Sequence, residues 1–326
     1  VSRNPQNNTD DSGGSVIGSL LRHQVFSITL VLLAIWVVLA FWSPYFFTLN
    51  NILEITLQAS VTAIIAAGVS FVIFAGMIDL SVGSIFAFAA VAGGISFHAT
   101  GSVPVSLLVT ILVGCFTGLL NGLAVVFFRI PAFVVTLGMM SIARGLAFII
   151  CNGVPIYGIP SSYTWIGQSK VFNVLPVPTL ITVILFIVFF FVLRNTRFGR
   201  FTYAVGSNLE ASRLSGVKVN RLVPLLFLVC GGCAALASII EAARLGTMQP
   251  NGGQGYELFA IGAVFIGGAS ISGGEGHIFG TLIGALLVTT IRNGLNILGV
   301  SAFYQYVANG LIIILAVAAD QMRKRK

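Results

Sequence analysis

From Gln24 onward the chain is a succession of apolar runs, seventeen or more residues long, separated by short polar turns. No other feature limits the fold so severely. About 20 apolar residues carry a helix through roughly 30 Å of hydrocarbon at about 1.5 Å per residue. Lipid offers no partner to a free N–H or C=O, so each such run is helical. Composition agrees: 57% of the residues are apolar and 8% charged, against about 25% charged in a soluble domain. The expectation is an all-α, polytopic membrane protein. Ten spans are expected, near residues 24–43, 54–75, 79–97, 103–128, 131–151, 177–193, 222–241, 257–272, 279–298 and 303–319. The third and eighth are short and glycine-rich, and each is open to being a re-entrant or broken segment. Residues 1–22 are polar and rich in Asn, Ser, Gly and Asp, and they read as a disordered tail. Residues 23–326 then form one transmembrane domain. The first run lacks a small-residue cleavage site behind it and reads as a retained span.

A net charge of +8 would suit nucleic acid, but its placement does not. With the N-terminus inside, the inner face holds Arg3, Arg22, Arg129, Arg194, Arg197, Arg200, Arg213, Lys218, Arg221, Arg323, Lys324, Arg325 and Lys326, thirteen of seventeen basic residues. Only Lys170 and Arg244 fall outside, while Arg144 and Arg292 fall within spans. Such a bias follows the positive-inside rule and puts both termini in the cytoplasm. The basic pI is then topological, and no nucleic acid is implied. The outer loop 152–176 carries Tyr157, Tyr163 and Trp165, which read as interfacial anchors or as a docking surface. Cys115, Cys151, Cys230 and Cys233 lie in apolar surroundings and read as small packing residues.

Gly114, Gly118 and Gly122 recur every four residues, as do Gly280 and Gly284. Such stripes let helix backbones approach closely. The tripeptide Asn-Gly-Leu at 121–123 and again at 293–295 falls in spans of opposite direction, as an inverted repeat would place it. Charged groups at bilayer depth usually face a protein interior or a cavity. Arg144 and Arg292 are therefore candidates to line a path, together with the amides Gln58, Asn121, Asn293 and Asn296. Hydrogen bonding between helices is another reading of each, and the two arginines, each past the middle of its helix, could instead snorkel to the outer headgroups. Asp79 reads as a carboxylate in the first turn of span three, Pro131 as a first-turn proline, and Glu241 with Arg244 as an i, i+3 pair. There is no G-x-x-x-x-G-K-[ST] phosphate loop, no metal-spaced ligand cluster and no nucleophile–base pair.

The segment Phe198–Arg221 interrupts the apolar pattern between spans six and seven. Ser207 and Glu210 are spaced as a capping box, and Gly216 supplies a left-handed stop. The helix between them has about two turns and cannot span anything. It would expose Leu209, Leu214 and Val217 among charges. A solvated loop explains its arginines. A short helix seated in a groove of another protein also explains its caps and apolar residues.

The stretch Tyr203–Arg221 resembles the coupling-helix segment of the permease subunits of bacterial ABC sugar importers, the ribose-transport permease group. "GMIDLSVGS" at 76–84, "PAFVVTLGMMSIARG" at 131–145, "GYELFAIGAVFIGGASISGGEG" at 255–276 and "GTLIGALLVTTIRNGLNILGVS" at 280–301 are similar to that family in the same order. The resemblance implies a permease in the bacterial inner membrane that carries a monosaccharide or related polyol. It also implies a second copy of the chain, a tandem-domain cytoplasmic ATPase that binds ATP and magnesium, and a periplasmic sugar-binding protein. This chain would hold no cofactor and perform no catalysis of its own. Its docking residues would be Ser207, Asn208, Leu209, Glu210, Ala211, Arg213, Leu214, Ser215, Gly216 and Val217, with the turn at 273–277 as a second contact. The sugar itself is not specified. An ion-coupled transporter and a passive channel are the alternatives. The first would need a carboxylate near the midplane, and Asp79, Glu241 and Glu257 are expected near span ends.

Overall fold

The computed structural model describes residues 24–301 and, beyond them, 303–305, 307, 310–311, 314 and 318. The tail 1–22 and most of the expected span 303–319 lie outside the described residues. The helices are α1 Gln24–Trp42, α2 Leu49–Phe74, α3 Val82–Thr100, α4 Val103–Phe128, α5 Ala132–Ile150, α6 Ser161–Gln168, α7 Val177–Asn195, α8 Arg197–Ser207, α9 Leu209–Leu214, α10 Val219–Leu245, α11 Tyr256–Ile266 and α12 Ile278–Ile297. A small hairpin, β1 Lys170–Val171 and β2 Leu175–Pro176, precedes α7. Among the described residues, eight helices are long and apolar enough to cross a bilayer.

α2 is the axis of the bundle, buried on all sides from Ala59 to Phe74. α10 packs on it and, more intimately, on α4. The glycine stripe explains that closeness. A Cβ on Gly118 would land on the Phe227 carbonyl, and one on Gly231 would land on the Gly114 carbonyl. α11 and α12 use the same device, with Gly284 against the Ala263 carbonyl and Gly280 against that of Gly267. α1 and α5 are peripheral and keep apolar faces such as Leu30, Leu33, Phe133 and Leu137 exposed, as lipid-facing surfaces must.

The expected eighth span is broken, one of the forms its glycine-rich sequence left open. α11 has 11 residues, or about 16 Å. Residues 246–255 form the other half of this crossing without helix. Met248 lies against Gly94 of α3 and Gly253 lies against Gly83. Those glycines are separated by about 16 Å of helix, so the loop descends along α3 into the bundle. At its upper end it pairs with the long loop, Ile156 and Met248 exchanging hydrogen bonds of 2.9 and 3.0 Å. α11 then starts inside the bundle and runs antiparallel to α12. The sequence there, "GTMQPNGGQGY", carries no apolar periodicity, and the apolar run of this crossing begins only at residue 257.

A correction concerns Asp79. It is not in the first turn of α3, which begins at Val82. It is wholly buried in the link 75–81, where its Oδ1 accepts from the Ser81 amide at 2.8 Å and the Ser81 hydroxyl at 2.6 Å. It does lie between the ends of two spans, as expected, but the link itself is folded into the bundle and buries the carboxylate. Pro131 is the residue before α5, not its first-turn residue.

Candidate functional site

Two regions of the bundle gather polar groups. One is the end where helix termini, the short helices and the links between them carry Arg129, Arg194, Arg197, Arg200, Arg213, Lys218 and Arg221. There α8 starts at Thr196, whose hydroxyl accepts from the Gly199 amide at 3.2 Å. α8 is held tightly. Gly206 abuts the Phe74 carbonyl at the end of α2, and the 273–274 turn packs against Gly76, Gly206 and Ser207. Tyr203 stacks on Phe74 with ring centroids 5.2 Å apart and donates to the Gly276 carbonyl at 3.1 Å. Burial pushes its hydroxyl up to about 12, so it remains a donor throughout the physiological range. His277 caps α12 by accepting the Phe279 amide on Nδ1 at 3.2 Å, which requires neutral imidazole at that atom. Partial burial, then the Arg194 guanidinium, hold its pKa below the usual histidine value.

The short helix α9 projects from this platform. Its cap is Asn208, whose Oδ1 accepts from the Ala211 amide at 2.9 Å. The expected capping box is therefore corrected: Ser207 is the last residue of α8. Both residues are good caps one position apart, and the chain uses Asn208 because Gly206 and Ser207 are already committed to the turn at 273–274. Glu210 pairs instead with Arg213 at 3.4 Å. α9 ends at Ser215 with Gly216 at φ 85°, its amide on the Arg213 carbonyl and the Val217 amide on that of Ser212, both at 3.0 Å. This is a Schellman stop. Ala211 is exposed with the helix, while Ser212 is buried. Leu214 is 89% exposed and Leu209 40%. Val217 does not join them: it packs against the main core. A cavity of about 680 Å³ beneath α9 is lined by Leu209, Arg213 and Asn220 on one side and Met77, Arg129 and Pro131 on the other.

The second region lies toward the opposite end, around the broken crossing. Two adjoining cavities, of about 280 and 180 Å³, share Glu241, Tyr256 and Arg292. Glu241 accepts from Nε and Nη2 of Arg244, both at 3.0 Å, and from the Tyr256 hydroxyl at 3.2 Å. Arg244 also reaches Glu54 of α2 at 3.7 Å, and Gln58 donates to that carboxylate at 2.9 Å. The expected pair is thus the centre of a network joining α2, α10 and the start of α11. Gln168 of α6 ties into it through the Arg244 carbonyl at 3.1 Å.

The six candidate path residues divide evenly. Gln58, Arg292 and Asn296 line the smaller cavity. Arg144, Asn121 and Asn293 bond other segments. Arg144 donates to the Pro250 and Gly252 carbonyls, each at 2.8 Å, and to that of Gly83 at 3.2 Å. Non-helical backbone at membrane depth must be satisfied within the protein, and Arg144 does this for the descending loop. Asn121 donates to the Ser81 hydroxyl at 2.8 Å and Asn293 to Asn51 at 2.9 Å. Replacing Arg144 by alanine leaves three carbonyls without their donor. We expect a loss of about 2 kcal/mol or more, read as a lower thermal midpoint in detergent, with partial recovery in Arg144→Lys. An unchanged midpoint would remove the loop-holding role. Sequence reasoning missed Glu241 and Tyr256 as cavity residues. Their one signal was position, on either side of the glycine-rich stretch 246–255.

The family profile described as the permease component of the branched-chain amino acid transport system matches residues 51–317. The chain is 42% identical over 303 residues to the ribose import permease protein RbsC of Escherichia coli K12, covering 90% of this chain and 93% of that one. It is 40% identical over 292 residues to RbsC of Bacillus subtilis, covering 88% and 89%. The D-allose transport system permease protein AlsC of Escherichia coli K12 is 36% identical over 302 residues, with 92% of each chain covered. No solved structure matches the chain.

Proposed function

This chain belongs to the permease-component family whose profile spans residues 51–317, and from that premise we propose that it is the membrane-spanning subunit of an ATP-driven importer of a monosaccharide. It is a multi-pass protein of the bacterial inner membrane. Ribose and allose are what the names of two relatives specify, and the sugar of this chain is of that class. One observation carries the reading. A six-residue helix, capped at both ends, holds an almost fully exposed leucine outside the bundle at its basic end. An exposed apolar knob on a rigid mount suits a groove in a partner.

The partners follow from that geometry and from the family. A cytoplasmic ATPase with tandem nucleotide-binding domains, which binds the ATP and magnesium, receives α9. The basic end and both termini face the cytoplasm, consistent with the distribution of arginine and lysine. A second copy of the chain completes the path, and a periplasmic binding protein delivers sugar to the opposite end. Glycine contacts clamp α8 to the end of α2 and to the turn at 273–274. Displacement of α9 by the ATPase therefore reaches α2, α11 and α12 together. The 273–274 glycines act here as a buttress for the foot.

Reconstitution tests the whole reading. Vesicles holding this chain, the ATPase and the binding protein should take up sugar only with ATP. Uptake by this polypeptide alone, driven by a proton or sodium gradient, would overturn it. Buried Asp79 is the carboxylate that such an ion-coupled machine would use, and Asp79→Asn in the same vesicles then identifies it.

A further inference from the structure

We propose that the notch left by the broken crossing is a holding site for one neutral sugar, with Arg292 as its hydrogen-bond donor and Glu241 and Tyr256 as its orienting groups. The inference rests on the importer reading above and specifies where within the bundle the sugar pauses.

Arg292 is the first ground. It lies over the Phe259 ring, 5.4 Å from the centroid. Among the described residues, no oxygen accepts a hydrogen bond from its guanidinium. Arg144, the other arginine within a span, has three carbonyl partners. A guanidinium carries a rigid fork of donors and no acceptor, and leaving that fork unanswered at bilayer depth is expensive. Both cavities open onto it. Its donors are therefore directed at what enters them.

Charge balance is the second ground. Glu241, Arg244 and Arg292 line the cavities, and Glu54, outside their lining, pairs with Arg244 at 3.7 Å, so the group holds two anions against two cations. A neutral guest leaves that balance intact. A sugar acid or a sugar phosphate would add an uncompensated charge at bilayer depth. The polar lining is also mixed. Arg292 only donates and Glu241 only accepts. Gln58 and Asn296 offer both functions to one cavity, Gln249 and Gln254 to the other. Hydroxyl groups donate and accept, so a polyol meets every one of these groups. A purely apolar or purely anionic guest does not.

Backbone architecture is the third ground. The loop 246–255 enters the bundle with Arg144 holding its carbonyls, and that arrangement opens a cavity in an otherwise close-packed core. The same break sets the first residue of α11, Tyr256, at the cavity wall with its hydroxyl on Glu241. Arg244 bridges Glu241 and Glu54 and roofs the site toward the 152–176 loop. Glu241 keeps acceptor capacity beyond its three bonds. A hydroxyl arriving beneath the roof competes for it with Tyr256.

The test uses the reconstituted complex with labelled ribose, xylose and allose as probes. Arg292→Gln should lower the sugar imported per ATP hydrolysed at least tenfold and change the ranking of the three sugars. Arg292→Lys should recover part of the ratio. A merely structural role would lower all uptake in proportion and leave the ranking fixed. Equal import per ATP by Arg292→Gln and the unsubstituted chain overturns the holding site while the importer reading stands. If the unsubstituted chain fails to import with these partners, the importer reading falls first. Should Arg292→Gln not accumulate in the membrane, Arg292→Lys with Tyr256→Phe is read the same way. An unaltered ratio and ranking in both would sink the proposal.

Discussion

Leu214→Glu lowers ATP-driven sugar uptake at least tenfold and leaves the permease as stable and as abundant in the membrane as before. At 89% exposure the leucine makes almost no contact within its own chain, and substitutions at such positions stay within about 0.5 kcal/mol. Whatever is lost must therefore be lost with a partner. Seating a leucine in a groove contributes about 1.5–3 kcal/mol. A carboxylate in its place forfeits that contribution and adds a desolvation cost. A difference of about 1.4 kcal/mol is already a factor of ten. Co-purification with the ATPase should weaken in step with uptake, and Leu214→Met should retain both. Normal uptake by Leu214→Glu would remove α9 from the transport cycle.

Gly231→Val is expected to do the reverse, abolishing the folded bundle wherever the chain is expressed. The Cβ it adds meets the Gly114 carbonyl, and backbone cannot move aside as the end of a flexible side chain can. Separating α4 from α10 also breaks the neighbouring contacts of Gly118 and Gly122. A loss on the order of 4 kcal/mol or more places it among the rare severe substitutions. Thermal unfolding in detergent measures it. Gly145→Ala in α5 is the control, because a Cβ there meets nothing within 4 Å. That change should be neutral, or stabilising by up to about 1 kcal/mol through helix propensity alone. Equal behaviour of the two variants would mean that the glycine stripe does not set the distance between α4 and α10.

The two arginines show where reading the sequence stops. Arg144 and Arg292 each stand alone in an apolar helix, and both suggested a path. The identity of their neighbours comes from elsewhere in the chain. A descending loop meets Arg144, a ring and an open cavity meet Arg292. The foot was more legible. Its short length, its polar caps and Gly216 are local signals, and local signals survive folding. Even there the cap moved from Ser207 to Asn208, and Val217 turned inward, because α8 and the core had claims on those residues.

The sequence alone determined that this chain is a helical membrane bundle and where eight of its crossings lie, since lipid forces any apolar run of that length to satisfy its own backbone. It also determined the projecting foot, since caps and stops act within a few residues. Tertiary structure alone decided that one further crossing is half loop, that Arg144 is the reason such a loop can exist at that depth, and that Glu241, Tyr256 and Arg292 share a cavity. Those outcomes depend on contacts between segments far apart in the chain, which no local pattern of residues encodes.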